Sequence, residues 1–236
     1  MVLRNDIDLI GDFLGTIPAM IEVTKKEPLQ VIINDKVAGL FDLIPKKYGI
    51  ERVYEGQHDK AFDLQIAFKF ASIANLHMIQ SHFAFVGLPI PINIPRPELE
   101  FDKLVSYLKY DYILAPFSRS LPPEQLWQQA KWIELVRSMP DKKFILFGNS
   151  KHDTNFINEP NCAVVFDRPF DVVCNLIQQS EAVISVVTGI SHLCYALNKT
   201  NYLFFNQGLW GKNVDAICFD GLIPNISVEE VKSKII

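Results

Sequence analysis

Residues 182–197 read Ala-Val-Ile-Ser-Val-Val-Thr-Gly-Ile-Ser-His-Leu-Cys-Tyr-Ala-Leu. The run Ala182–Val187 is apolar except for Ser185 and rich in β-branched residues, the composition of a strand buried on both faces. Thr188-Gly189 turns the chain, and Gly189–Leu197 continues at once as a helix. Ligands of open α/β sheets sit at the carboxyl ends of the strands. A helix that starts there offers unpaired N–H groups and the positive end of its dipole, which suits phosphate. Gly189 lets an anion approach the backbone, Thr188 and Ser191 can add hydroxyl donors, and His192 lies one turn in. The same residues also describe a helix start with no ligand, in which Thr188 is an N-cap, Gly189 a tight turn and His192 a packed side chain. Residue types alone do not choose between the two.

The flanking sequence repeats the alternation. Strands are expected at Tyr112–Ala115, Lys143–Phe147, Ala163–Phe166 and Tyr202–Phe205, and helices at Pro123–Arg137, Asp171–Gln179 and Val228–Ile235. Strands separated by helices call for a doubly wound parallel sheet. The first half follows the same grammar more weakly. Ile7–Ile10 reads as a strand ending at Gly11-Asp12, and Thr16 as the cap of a helix through Glu22 with Pro18 in its first turn. Leu29–Ile33, Arg52–Tyr54 and Asp63–Phe68 read as strands, and Ser72–Val86 as a helix closed by Gly87. Pro89–Pro97 holds four prolines in nine residues, which forbids a helix or a central strand. It reads as an interdomain linker, or else as a long surface loop within one domain. The expected domains are therefore 1–97, linker included, and 98–236.

Composition narrows the function. With 236 residues and 49% apolar content the chain is globular and long enough for two small domains. Net charge is −4, and the densest basic runs, Pro45–Tyr48 and Pro140–Phe144, hold only two lysines each, so nucleic acid is not the expected partner. Cys162, Cys174, Cys194 and Cys218 form no CxxC pair and read as reduced core thiols. Asp6, Asp8 and Asp12 interrupt the early apolar residues, so no signal segment is expected, and no apolar run approaches a membrane span. These features point to the cytoplasm, with peripheral membrane contact left open. His77 and His82 are five apart, which is not a metal-binding pair on a helix. Trp127 and Trp132 read as core, and Trp210 either stacks on a ligand or pins its loop.

Four motifs carry a resemblance. Thr188–Leu197 resembles the signature helix of the family 9 glycosyltransferases, among them the bacterial lipopolysaccharide heptosyltransferases, whose segment runs Asp-Thr-Gly-x-x-His-Leu-x-x-Ala-Leu. Gly11-Asp12-x-x-x-Thr16-x-Pro18 is similar to that family's opening motif. Ile113–Ser120, with Ser118-Arg119, resembles its strand and basic loop, and Phe144–Gly148 resembles its next strand. The four come in family order along nearly the whole chain, which is shorter than typical members, chiefly in its N-terminal half.

The resemblance implies a GT-B fold, two Rossmann-like doubly wound parallel-sheet domains facing a cleft. It implies inverting transfer from a nucleotide-diphosphate sugar, ADP-heptose-like, to a glycan or lipid-linked acceptor, with no metal and no cofactor. By motif, Ser118, Arg119, Thr188, Gly189, Ser191 and His192 would bind the donor, Asp12 would be the general base, and Gly11, Gly15 and Thr16 would form an acceptor-side loop. A carboxylate can take the proton of an attacking hydroxyl. Helix amides and an arginine can hold the charge of a leaving diphosphate. One position departs from the pattern: Val187 stands where the family has an acid before Thr-Gly, and it offers no acceptors to a sugar. That departure admits a second expectation, a non-catalytic GT-B-fold protein that binds a nucleotide sugar or a partner. A GT-B epimerase would need more cleft acids and histidines than this chain has.

Overall fold

A computed structural model describes residues 1–5, 7, 9–54, 62–64, 66–67, 76–104, 110–119, 121–148, 158–205, 216–219 and 222–236. The chain divides into two compact units, Met1–Phe101 and Asp102–Ile236. In the first, β1 (Val2–Asn5) leads into α1 (Ile10–Thr24), then β2 (Gln30–Ile33), α2 (Ala38–Phe41), β3 (Glu51–Val53), β4 (Phe62–Asp63) and α3 (Met78–Phe85). Its sheet has the order β3-β2-β1-β4, with every pairing parallel. The second unit holds β5 (Tyr112–Ala115), α4 (Gln129–Arg137), β6 (Phe144–Gly148), β7 (Cys162–Phe166), α5 (Phe170–Gln179), β8 (Ala182–Val186), α6 (Gly189–Ala196), β9 (Asn201–Phe204), β10 (Ile217–Phe219) and α7 (Val228–Ile235). Its sheet order is β10-β9-β8-β5-β6-β7, again parallel throughout. These are the two doubly wound α/β sheets of the expected GT-B-like class.

The first strand lies five residues earlier than expected. Leu3 and Asn5 point into the core from Val2–Asn5, and this strand pairs with β2 and β4. Ile7 and Leu9 belong to no strand, and α1 starts at Ile10, well before Thr16. Gly11, Asp12, Gly15 and Thr16 are therefore helix residues and not a loop, and Pro18 lies in the helix interior. An interior proline costs about 3 kcal/mol. The burial of Phe13, Leu14, Ile17, Met20 and Val23 along the same helix offsets it. Gly15 is where α1 meets α3: a Cβ there would lie 2.5 Å from the Met78 methyl carbon. Thr16 is not a cap. Its hydroxyl donates to Phe13 O at 2.7 Å and accepts from the fully buried Asn5 Nδ2 at 2.7 Å, which fastens α1 to the end of β1.

Two further helices differ from their sequence reading. Pro123–Arg137 breaks into a 3-10 turn at Pro123–Gln125 and α4, with Leu126 extended between them. The break turns Trp127 inward, where its indole N–H donates to Ile226 O at 2.8 Å and its ring stacks on Phe204 at 4.7 Å. Trp132 meets the Trp127 ring edge-on at 4.9 Å, so both tryptophans are core. The helix expected from Ser72 is described from Met78, with residues 72–75 outside the described residues. His77 starts it: its Nδ1 accepts from Ile79 N–H, and its own N–H donates to Gln80 Oε1, both at 3.1 Å. Gln80 Nε2 donates to Pro91 O at 2.8 Å, which pins the proline-rich segment onto the first unit. Trp210 lies outside the described residues.

Thr16→Val should strand the buried Asn5 amide and lower the unfolding free energy by about 1–3 kcal/mol, while Thr16→Ser keeps most of it, as read by denaturant titration. Burial pushes the His82 imidazole down to about 3 from its ordinary 6.5. The unfolded chain then takes up a proton that the folded chain refuses. Stability is full above pH 6.5 and is lost as pH falls toward 3, by about 1.4 kcal/mol per pH unit. Melting temperature measured from pH 7 to 4 should fall less steeply in His82→Gln.

Candidate functional site

Numbered along the second unit, its strands stand third, second, first, fourth, fifth and sixth from β7 to β10. The winding direction reverses between β5 and β8, and at such a reversal the following loops part to leave room for a ligand. Because β5 and β8 are parallel, both carboxyl ends open on the same edge of the sheet. Beyond Ala115 come Pro116, Phe117, Ser118 and Arg119, and beyond Val186 come Val187, Thr188 and Gly189. Ser118 Oγ donates to Val187 O at 2.7 Å and ties the two loops together across 69 positions of sequence.

The start of α6 is closed by Ser191. Thr188 N–H donates to Ser191 Oγ at 3.2 Å, and the Ser191 hydroxyl donates back to Thr188 O at 2.6 Å. Ser191 N–H reaches the same carbonyl at 3.0 Å. Gly189 and Ile190 come before the first intrahelical bond, and their amides have no hydrogen-bond partner among the described residues. Ser191 is buried, Thr188, Gly189 and His192 are half-buried, and Arg119 is exposed one residue beyond Ser118. The structure thus brings Ser118, Arg119, Thr188, Gly189, Ser191 and His192 to one edge of one sheet. The turn presents two backbone amides at a helix N-terminus, and Arg119 follows Ser118 in the loop tied to it. Amides at a helix N-terminus are groups that hold a phosphate without a metal.

Asp12 belongs to the first unit. It is half-exposed in the first turn of α1, next to Gly11, where the helix dipole favours negative charge. Its helix follows β1, and the first sheet too reverses direction between β1 and β4. Gly15 and Thr16 lie one turn further on and are buried, Gly15 against Met78 and Thr16 against Asn5 and Phe13 O. Asn5 is a residue that pattern reading passed over. A polar side chain at an inward-facing strand position was the available signal.

Among the described residues, no group of three His, Cys, Asp or Glu side chains converges to hold a metal ion. Nor is any described helix long and apolar enough to cross a membrane.

Compared by sequence, the chain matches no family model and no curated protein. Compared by structure, it matches solved glycosyltransferases over nearly its whole length. The E. coli ADP-heptose lipopolysaccharide heptosyltransferase II superposes with a TM-score of 0.75 at 13% identity, over 99% of this chain and 97% of that one. The E. coli heptosyltransferase WaaC with ADP gives 0.72 at 16%, over 99% and 96%. A family 9 glycosyl transferase from Veillonella parvula gives 0.73 at 12%, over 98% and 94%. This chain has the heptosyltransferase-like GT-B fold of the family 9 glycosyltransferases, as its motifs led one to expect.

Proposed function

We propose that this protein is a glycosyltransferase. It moves a sugar from a nucleotide-diphosphate donor of the ADP-heptose kind to a hydroxyl of a glycan or lipopolysaccharide-type acceptor. Transfer inverts the anomeric centre and needs no metal. The observation that carries the reading is the Gly189–Ile190 amide pair at the β5/β8 reversal, without a partner among the described residues, on the turn that Ser118 ties to the loop of Arg119. The donor class is in keeping with the structural neighbours, one solved with ADP and another named for ADP-heptose. The reduced state of the four cysteines favours a cytoplasmic setting, where the acceptor can be met at a membrane surface.

The second unit takes the donor and the first unit the acceptor. The diphosphate lies on the Gly189 and Ile190 amides, with Thr188, His192 and Arg119 around it and Ser118 and Ser191 against the turn. Asp12 accepts the proton of the acceptor hydroxyl as its oxygen attacks the anomeric carbon from the face opposite the leaving group. The bond from that carbon to the diphosphate oxygen breaks, and the electron pair leaves on the diphosphate. Helix amides and Arg119 stabilise the charge that develops there. Val187 brings no carboxylate to the sugar, so donor hydroxyls are held by other groups.

A thermal-shift screen with ADP, UDP, GDP and CMP sugars tests the donor half. A true donor at about 100 times its Kd should stabilise the protein by about 2.7 kcal/mol. The absence of a shift with all of them would contradict the reading. For catalysis, nucleotide release with a candidate acceptor should fall about 10²–10⁴-fold in Asp12→Asn while donor binding stays intact. Added EDTA should leave the wild-type rate unchanged.

A further inference from the structure

Ser118, by the resemblance, and Ser191, by residue type, are expected to bind the donor phosphates, yet their protons go elsewhere. A serine hydroxyl has one proton, and phosphate oxygens only accept. The Ser118 proton points to Val187 O at 2.7 Å and the Ser191 proton to Thr188 O at 2.6 Å. Both carbonyls lie beyond Val186, the last residue of β8, where no strand among the described residues pairs with the chain. The two serines take the place of that ladder. The Val187–Thr188 peptide has its C=O held by Ser118 and its N–H held by Ser191 Oγ at 3.2 Å. The next peptide, Thr188–Gly189, has its C=O held by the Ser191 hydroxyl and, at 3.0 Å, by Ser191 N–H. In a trans peptide the N–H points away from the C=O, so fixing Thr188 O also fixes the direction of the Gly189 amide.

We infer that Ser118 and Ser191 are positioning residues, a two-serine clamp that locks consecutive peptides so that the Gly189 and Ile190 amides are aimed before any ligand arrives. Ser118 also makes the aim depend on the β5 loop, because its backbone belongs to the opposite side of the reversal. Donors set in advance cost no reorganisation when charge arrives. The ligand-binding consequence rests on the nucleotide reading above, whereas the clamp itself is a property of the free protein.

The test therefore has two arms. In the ligand-free protein, amide hydrogen exchange followed by NMR should show Thr188 N–H protected in the wild type. Ser118→Ala should accelerate that exchange about tenfold, the scale of one hydrogen bond, and Ser118→Thr, which keeps the hydroxyl, should restore it. In the second arm, the tightest binder among ADP, UDP, GDP and CDP should weaken about tenfold in Ser118→Ala, with its parent nucleoside bound as before. Ser191→Ala should act alike, and the double variant should weaken binding by less than the product of the two single effects, because both serines hold one turn. Weakened diphosphate binding with unchanged Thr188 exchange would overturn the clamp and make Ser118 a direct phosphate contact. Equal losses for diphosphate and nucleoside, or no change in either arm, would also overturn it. If the wild type binds none of the four diphosphates, the nucleotide reading fails, and the exchange arm alone decides the clamp.

Discussion

Between β5 and β8 two neighbouring parallel strands send their chains onward in opposite directions, and the candidate site exists because of that divergence. Each crossover of a parallel sheet must be right-handed, so strands added on either side of β5 carry their helices to opposite faces. The loops at the junction are left without a covering helix. Unpaired peptide groups at such an opening face solvent or a ligand. Here one carbonyl beyond the end of β8 is met by Ser118 from the β5 side, and the helix start beside it is closed by Ser191. Among the described residues, the amides of Gly189 and Ile190 are left without a hydrogen-bond partner.

This edge is carried on a stiff base. Every residue of β5 and β8 is buried. Phe204 of β9 stacks on Trp127 and on Phe219 of β10, each at 4.7 Å, and Trp132 of α4 meets Phe204 edge-on at 5.3 Å. Tyr112 at the start of β5 donates its hydroxyl to Ile235 O at 2.9 Å, which joins the central strand to the closing helix α7. Lys131 Nζ donates to Pro224 O and Ile226 O, so the segment leading into α7 is tied to α4 as well. The half-buried loops beyond β5 and β8 rest on these contacts. Large rings and capped carbonyls therefore fix the positions of residues that touch none of them.

How much was legible from residue order varied along the chain for physical reasons. β8 and α6 are readable because the mostly apolar, β-branched run Ala182–Val187, interrupted only by the small Ser185, ends directly at Thr188-Gly189. β1 was misplaced because Arg4 and Asn5 make Val2–Asn5 look polar, whereas Ile7, Leu9 and Ile10 look like a strand. The start of α1 was hidden by Gly11, Gly15 and Pro18, residues that weaken a helix locally and are tolerated here through burial and the contact with Met78. The helix over 123–137 looked continuous because pattern reading registers the apolar period. It does not register the tertiary hydrogen bond from Trp127 to Ile226 O that breaks the run. At the site, Ser118, through the resemblance, and Ser191 are expected to bind the donor, and the structure places both hydroxyls against carbonyls of the turn. The direction of a hydroxyl proton depends on a carbonyl from elsewhere in the fold, so their role became visible only in three dimensions.

The central claim is that the β5/β8 reversal of the second unit holds a diphosphate on the Gly189 and Ile190 amides. Titrating ¹⁵N-labelled protein with a nucleoside diphosphate and following every backbone amide tests it most directly. The account predicts that the largest shifts fall on Gly189 and Ile190, with smaller ones at Thr188 and Arg119. Shifts confined to residues of Met1–Phe101, or binding that leaves Gly189 and Ile190 unmoved, would contradict it.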